Sequence, residues 1–325
     1  MNRQSKLFRE VSQETIQAVF SHALRESDIW ETKLLEGGMF NTTYYVEYGT
    51  AHRKAVLRLG PVNRHLVAGF EQNLMNAEVY TYSVCRNIGI PCSRVLACDT
   101  SKTVIDRDFM IVEYIPSVAM VNLDLPAEKR KILYFQMGRY LKKLHRVKGE
   151  SFGFVSRICA GKTFDTWSEA LIYEVCDMAQ RLQKAGGMSS REEEALLSEF
   201  RRNRSLLDEI KEPHLLHTDL WVGNVLLDEK TLEILAIIDG DRAVFGDVDF
   251  EFACPWMEEP DLWDGYGFVP EKAECSARGK RKRLYQMFFY LLEAYVGYCE
   301  YNNPDLYRVR KQQMLDLLNG TASES

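Results

Sequence analysis

One segment constrains this 325-residue chain more than any other: residues 214–253, HLLHTDLWVGNVLLDEKTLEILAIIDGDRAVFGDVDFEFA. Within it, Asp219 follows His217 by two residues and precedes Asn224 by five. Two short apolar runs follow, at 225–227 and 234–238, and the second ends directly before Asp239. Short apolar runs bounded by polar residues predict β-strands. The pattern therefore predicts an acidic loop, a strand, and a second acid at the end of the next strand.

These residue types, in this order, are those that phosphoryl transfer requires. One carboxylate must accept the proton of an attacking hydroxyl, and amide and carboxylate oxygens must hold the Mg²⁺ that bridges nucleotide phosphates. Asp219 is the candidate base, and Asn224 and Asp239 are the candidate Mg²⁺ ligands. The alternative for Asp219 is a turn or helix-capping residue. His217 is expected to brace the loop by hydrogen bonding.

The motifs HTDLWVGNVL and IIDGDRAVFGD resemble the aminoglycoside phosphotransferase and choline kinase superfamily, which comprises small-molecule kinases built on the protein-kinase fold. A protein kinase would have Arg and Lys where this chain has Thr218 and Trp221. The resemblance extends from about Leu34 to about Ala253. It implies an α+β, bilobal protein-kinase-like fold, with a small β-rich lobe over residues 1–115 and a larger, mainly helical lobe over residues 116–325.

The same resemblance assigns the nucleotide-binding residues. Glycines allow a backbone to approach phosphate, and the run KAVLRL follows the Gly-Gly pair at the expected distance. Arg58 stands where the family presents a basic residue to the phosphates, with Glu78 on the next helix as its ion-pair partner. The cofactors implied are ATP, with GTP not excluded, and Mg²⁺. The implied cofactor-binding residues are Gly37, Gly38, Asn41, Thr42, Arg58, Glu78, Glu113 and Ile115.

The segment from Glu251 to Phe268 is rich in acids and aromatic residues and contains no Lys or Arg. Carboxylates attract cations, and aromatic faces bind ammonium groups. This favours a cationic or amino-bearing small-molecule acceptor, such as an aminoglycoside-like or choline-like compound; a solvated acidic loop with packed aromatics is the alternative. The candidate acceptor residues are Asp241, Glu258, Glu259, Asp261, Trp256 and Trp263.

Composition narrows the partners further. The net charge of −6 argues against binding nucleic acid or an anionic membrane, and a solvated helix start explains the basic run at 278–283. Eight scattered cysteines without a C-x-x-C pair favour reduced thiols. No apolar signal core is found near the start of the sequence. We therefore expect a cytoplasmic protein, and its oligomeric state cannot be predicted.

Two other functions remain open on the sequence alone. A nucleotide-binding pseudokinase with a regulatory role is disfavoured because Asp219, Asn224 and Asp239 are all present. A protein kinase is disfavoured by the altered catalytic loop and by the lack of an A-P-E-like motif after Asp239. One departure from the family concerns the loop support: Glu251 stands where Asp is expected.

Overall fold

The computed structural model describes residues 5–35 and 38–320, which form eleven α-helices and eleven β-strands. The strands are β1 (Ile29–Leu34), β2 (Thr42–Tyr48), β3 (Arg53–Leu59), β4 (Val95–Asp99), β5 (Phe109–Glu113), β6 (Val118–Ala119), β7 (Gly153–Phe154), β8 (His214–Leu216), β9 (Val225–Leu227), β10 (Ile234–Ile237) and β11 (Val244–Gly246). The helices are α1 (Gln13–Leu24), α2 (Leu74–Asn87), α3 (Ala127–Leu144), α4 (Val155–Cys159), α5 (Trp167–Lys184), α6 (Ser190–Arg202), α7 (Arg204–Leu207), α8 (Val248–Glu251), α9 (Pro260–Tyr266), α10 (Ala277–Tyr295) and α11 (Pro304–Asn319).

The N-terminal lobe is a five-stranded antiparallel sheet in the order β1-β2-β3-β5-β4. Because side chains alternate along a strand, β3 sends Ala55, Leu57 and Leu59 to one face, where they pack with α1. Val56 belongs to the other face and packs with Met75 of α2. Arg58 shares the parity of Val56, and this alternation directs it towards α2.

The C-terminal lobe is mainly helical and contains the larger hydrophobic core. Two small three-stranded sheets lie within it, in the orders β10-β9-β6 and β7-β11-β8. The β9–β10 hairpin places the residues that follow β8 beside those that follow β10. These two sheets therefore bring together the candidate catalytic residues, which lie in the segments that follow β8 and β10.

Helices α3 and α9 approach each other through two glycines. A Cβ atom at Gly138 would clash with the Leu262 carbonyl oxygen, and one at Gly265 would clash with the Phe135 carbonyl oxygen. Glycine is therefore required at both positions, because any side chain would push the backbones apart. The acidic segment of the sequence is fixed to α3 at this crossing.

The α+β, bilobal fold class is confirmed, whereas several boundaries differ from the sequence pattern. Helical spacing over residues 4–27 predicts one helix, but α1 begins only at Gln13, where the Ser12 side chain caps it. The helix expected over 190–209 is divided into α6 and α7 at Asn203. The lobe boundary at Pro116 stays a prediction. No helix of the described residues is long and apolar enough to cross a membrane.

Candidate active site

The loop that follows β8 places Asp219 and Asn224 in direct contact. The Asn224 side-chain nitrogen donates to the Asp219 backbone carbonyl at 2.8 Å and to the Asp219 carboxylate at 3.1 Å. Asn224 is buried, whereas Asp219 is half-buried. Because these two bonds use the amide nitrogen, the Asn224 Oδ1 atom remains as the oxygen that could bind a cation.

The Glu251 side chain holds the backbone of this loop by hydrogen bonds. Its fully buried carboxylate accepts the backbone N–H groups of His217 at 2.7 Å and Thr218 at 2.9 Å. The His145 ring nitrogen lies 3.4 Å from the same carboxylate. The longer side chain thus reaches the loop at the position where the resemblance led us to expect Asp.

The backbone of the loop is held in an uncommon conformation at Thr218, with φ of 62°. A β-branched residue rarely adopts this left-handed region. Two contacts stabilise it: the Thr218 hydroxyl donates to the Arg242 carbonyl at 2.8 Å, and the His217 Nδ1 atom accepts from the Asp219 N–H at 3.3 Å. Burial lowers the pKa of His217, which favours the neutral imidazole that this acceptor role requires.

The protonation of Asp219 is set mainly by its surroundings. Burial raises the pKa of Asp219 to about 7, and the charges of Asp239 and Glu251 act in the same direction. The Arg242 charge and the hydrogen bond from Asn224 oppose this shift. A carboxylate with a pKa near 7 is well matched to proton transfer at neutral pH.

Asp239 reaches the same site from the end of β10. The Ile238 N–H donates to the Asn224 carbonyl at 2.9 Å, which places Asp239 next to the Asp219 loop. Asp239 has a left-handed backbone, with φ of 58°, and its N–H donates to the Tyr82 hydroxyl at 3.3 Å. Its side chain is 34% exposed, so the carboxylate is accessible at the surface of the cleft.

Arg58 joins the two lobes at this point. Its guanidinium donates to Glu78 of α2 and, at 2.6 Å, to Asp239, and lies 3.9 Å from Asp241. Glu78 and Asp241 are both buried. Burial lowers the pKa of Arg58, but the charges of Asp239 and Glu78 outweigh this effect and hold its pKa well above the usual range. Arg58 therefore stays charged.

Three carboxylates surround this single guanidinium. Glu78, Asp239 and Asp241 each offer an oxygen, and these oxygens lie within 4.8 Å of one another. Burial raises the pKa of Asp241, and the charges of Glu78 and Asp239 raise it further. Such an excess of hard oxygen ligands suits Mg²⁺, which prefers carboxylate and amide oxygens. The donor set of Asp239, with Asn224 Oδ1 nearby, fits that ion.

The cofactor-binding turn is only partly described, since Gly37 lies outside the described residues. Thr42 is fully buried, and its hydroxyl exchanges hydrogen bonds with the Arg9 backbone at 3.3 and 3.2 Å. That side chain is therefore unavailable to a phosphate. Gly38 and Asn41 lie at the turn itself, where a Cβ atom at Gly38 would come within 3.1 Å of the Asn41 carbonyl oxygen.

The connection between the lobes starts where β5 ends. Glu113 is exposed at the end of that strand, and its N–H donates to the Arg94 carbonyl at 2.9 Å. The Ile115 carbonyl accepts from the Ser117 hydroxyl at 2.9 Å. Among the described residues, the Ile115 N–H has no hydrogen-bond acceptor, so it can bond to the edge of a base.

A family model described as the phosphotransferase enzyme family matches residues 31–274. The chain belongs to this family. The similarity to the aminoglycoside phosphotransferase family that the sequence motifs indicated is confirmed.

Solved structures of this phosphotransferase fold superimpose over nearly the whole chain. One is a thermostable mutant of aminoglycoside phosphotransferase APH(4)-Ia in complex with ADP and hygromycin B, with a TM-score of 0.64 and 19% identity, covering 95% of this chain and 100% of that one. Another is a GDP complex of aminoglycoside 2′-phosphotransferase-IIIa, with a TM-score of 0.64 and 13% identity, covering 96% and 100%. At this identity, the likeness shows the fold alone.

A relative among characterised sequences is acyl-CoA dehydrogenase family member 10 of Mus musculus. It is 23% identical over 222 residues, which are 67% of this chain and 19% of that protein. The phosphotransferase chain therefore spans about a fifth of the length of this relative.

The candidate acceptor residues of the phosphotransferase separate into two groups. Asp241 lies with Arg58, on the phosphate side of the site. The other five lie between the end of α8 and the end of α9. Two of these five already have hydrogen-bond partners: Glu259 bonds with Tyr134 of α3, and the Trp263 ring N–H donates to the Met257 carbonyl at 2.9 Å. The contact of Glu258, Asp261 and Trp256 with an acceptor stays a prediction.

The surroundings of Glu258 are less acidic than the sequence suggests. Glu258 and Trp263 line a cavity together with Arg278 and Lys282 of α10, which are distant in sequence. The Arg278 guanidinium binds Asp249 through two hydrogen bonds, at 2.7 and 2.6 Å, so its charge is largely neutralised. Trp256 packs against Phe289, and its half-buried ring N–H has no hydrogen-bond acceptor among the described residues.

Sequence reasoning missed two residues of the phosphotransferase site. Arg242 lies close enough to Asp219 to lower the pKa of that carboxyl, and it donates to the buried Glu71 at 2.6 Å. Tyr301, after α10, has its pKa raised by burial and by charges that include Asp219. Arg242 directly follows the D-G-D motif, which is a signal that could have found it, whereas Tyr301 carries no sequence signal.

Proposed function

We propose that this phosphotransferase moves the γ-phosphate of ATP to a hydroxyl of a small molecule. The observation that carries this proposal is the convergence of Asp219, Asn224 and Asp239 at one end of the β9–β10 hairpin, opposite the Arg58–Glu78 ion pair. Direct, in-line transfer needs a base, a cation site and a positive group on the phosphates, in one cleft.

In this proposal Asp219 is the catalytic base. Its carboxylate accepts the proton of the acceptor hydroxyl as the oxygen attacks the γ-phosphorus, and Asn224 holds the carboxylate in place through its 3.1 Å hydrogen bond. Base placement of this kind contributes about 10²–10⁴ to the rate. His217 and Glu251 fix the backbone of the loop and touch neither the acceptor nor the nucleotide.

Asn224 Oδ1 and Asp239 would hold Mg²⁺, which, when bound, neutralises phosphate charge during transfer. Arg58, oriented by Glu78, binds phosphate oxygens with its planar guanidinium. The backbone N–H groups of Gly38, Asn41 and Thr42 cover the phosphates, and the backbone at Glu113 and Ile115 binds the base. Backbone groups of this kind can bind ATP or GTP, and ATP is the nucleotide we propose.

The proposed acceptor carries an amino or ammonium group. Glu258 and Asp261 supply negative charge, and Trp256 and Trp263 supply aromatic faces, beside the cavity that Glu258 lines. A carboxylate and an aromatic face together bind an ammonium group more tightly than either alone. The complex of APH(4)-Ia with hygromycin B supports an acceptor of the aminoglycoside class.

The test is ADP release from Mg²⁺-ATP with a panel of aminoglycosides, choline-like amines and neutral sugars, with Asp219→Asn measured in parallel. Turnover on an amine that is lost in the variant would establish both the reaction and the acceptor class. Turnover on a neutral sugar alone would overturn the cationic acceptor. Failure to bind nucleotide would overturn the kinase function itself.

A further inference from the structure

The side chains of Glu71 and Glu300 form a buried pair of carboxyl groups next to Arg242. Glu71 belongs to the turn Gly69–Asn73 that leads into α2, and Glu300 belongs to the π-helical turn Val296–Glu300 that follows α10. Glu71 is 2% exposed and Glu300 is fully buried. The two carboxyls are neighbours: burial raises the pKa of Glu300, and the charge and hydrogen bonding of Glu71 raise it further.

The hydrogen bonds around this pair are unequal. Glu71 accepts from the Arg242 guanidinium at 2.6 Å and from the Ala68 N–H at 3.1 Å. Among the described residues, neither oxygen of Glu300 accepts a hydrogen bond. The Arg242 guanidinium thus donates to Glu71, which is the carboxyl that it stabilises as an anion.

The charges lead to the same assignment. One guanidinium can neutralise one of two buried carboxylates, and two adjacent carboxylates cannot both be ionised without a large cost. The other titratable groups near Glu300 are Tyr295, Cys299 and Tyr301 on its own turn and Arg181 of α5, which lies near Tyr295 and Cys299. Asp219 also lies close enough to Arg242 to interact with its charge.

The π-helical turn explains how Glu300 reaches this position. The Tyr301 N–H donates to the Val296 carbonyl, five residues back, at 2.9 Å. An inserted residue of this kind rotates the following side chains by about 100° relative to a continuous α-helix. The Glu300 carbonyl, in turn, accepts from the Lys6 N–H at 2.8 Å.

We propose that Glu300 is held protonated and donates a hydrogen bond to ionised Glu71, and that this shared proton positions Arg242. Arg242 in turn binds the Thr218 hydroxyl through its carbonyl and places its charge near Asp219. Glu300 is therefore a positioning residue that joins the start of α2, the catalytic loop and the end of α10. Its consequence for turnover rests on the proposed function, whereas its protonation does not.

The test is the urea unfolding equilibrium of the full chain from pH 4 upwards, for wild type, Glu300→Gln and the exposed control Glu229→Gln. An unfolded glutamate titrates near its ordinary pKa of about 4.3, so the folded wild type retains one extra proton above that pH. For each unit by which the pH rises, the folding equilibrium constant of wild type should then fall by up to about tenfold relative to that of Glu300→Gln. The fall should end at the pH where Glu300 ionises in the folded protein.

Glu300→Gln should fold, because an amide N–H can donate the same hydrogen bond. The stability of the control Glu229→Gln should follow that of wild type in parallel across the pH range. If the stability of Glu300→Gln also stays parallel to that of wild type, the proposal is overturned. So would failure of Glu300→Gln to fold.

A second arm is a double-mutant cycle with Glu71→Gln. In that variant Glu300 should ionise and replace Glu71 as the partner of Arg242, so the single change should be tolerated. The double variant leaves Arg242 without a carboxylate partner and should cost more than the sum of the single changes; simple additivity would contradict the assignment. Both readouts are unfolding equilibria, so failure of the proposed phosphotransfer would leave them unaffected.

Discussion

The catalytic loop and the acidic segment at Glu258–Phe268 are built in different ways. In the loop, each residue assigned to the chemistry is fixed by another: Asn224 holds Asp219, Glu251 holds the loop backbone, and Glu78 holds Arg58. In the acidic segment, Glu258 and Asp264 are exposed, whereas the Trp263 ring donates to the Met257 carbonyl and the Tyr266 hydroxyl hydrogen-bonds with His145.

This difference separates chemistry from specificity. A buried polar group that loses its partner costs about 1–3 kcal/mol, so changes in the loop should affect both folding and turnover. Exposed charges contribute little to stability, so changes in the acidic segment should affect acceptor binding alone. Four variants test this contrast, beginning with the largest expected effect.

Asp219→Asn should lower kcat by about 10²–10⁴ and leave nucleotide affinity nearly unchanged, because the amide keeps the shape of the carboxyl but cannot accept the proton. The measurement is steady-state turnover with the first acceptor identified, together with calorimetric titration of ATP. Retention of wild-type kcat would remove Asp219 from the role of base.

Glu251→Ala should destabilise the fold by about 1–3 kcal/mol for each of the two backbone N–H groups left without an acceptor, those of His217 and Thr218. Urea unfolding measures this cost. The matched variant is Glu251→Gln, which keeps one carbonyl oxygen and should lose less. Wild-type stability in Glu251→Ala would show that the carboxylate does not support the loop.

Glu78→Gln should weaken ATP binding by roughly tenfold to a hundredfold, since a charge-assisted hydrogen bond contributes about 1.5–3 kcal/mol. The neutral amide orients Arg58 less firmly, and Asp239 then attracts the guanidinium without competition from α2. Nucleotide titration at constant Mg²⁺ gives the change in affinity. An unaltered affinity would mean that Asp239 alone positions Arg58.

Glu258→Gln should have the smallest effect: a KM for an amine acceptor raised by less than about tenfold, with kcat and stability unchanged, as expected for one exposed charge. Asp264→Asn, also exposed in the same segment, is the control that should leave KM unaltered. A fall in kcat in Glu258→Gln would place this residue nearer to the reacting atoms than proposed.

The sequence was sufficient to predict the fold class and the family because the catalytic motif is local. Asp219, Asn224 and Asp239 lie within 21 residues joined by one short hairpin, so their spacing nearly determines their arrangement. The strand alternation that turns Arg58 towards Glu78 could likewise be predicted.

Contacts between distant segments could not be predicted. Glu71 and Glu300 are 229 residues apart in sequence and meet only because the π-helical turn directs Glu300 inwards. The position of Arg278 could not be predicted either. It lines the same cavity as Glu258, so the surface that was predicted to be acidic carries both positive and negative charges. Thr42 was assigned to the phosphate-covering turn from its place in a motif, and the contact of its hydroxyl with the Arg9 backbone could not be predicted.

The glycine crossing of α3 and α9 has a practical consequence for altering the acceptor. Because Gly138 and Gly265 bring two backbones into contact, α9 cannot slide or rotate without a clash, and the frame around it is rigid. A combinatorial library for new acceptors should therefore keep both glycines and randomise the flanking exposed positions. Insertions belong after Phe268, beside Val269, which is 73% exposed and lies beyond the crossing.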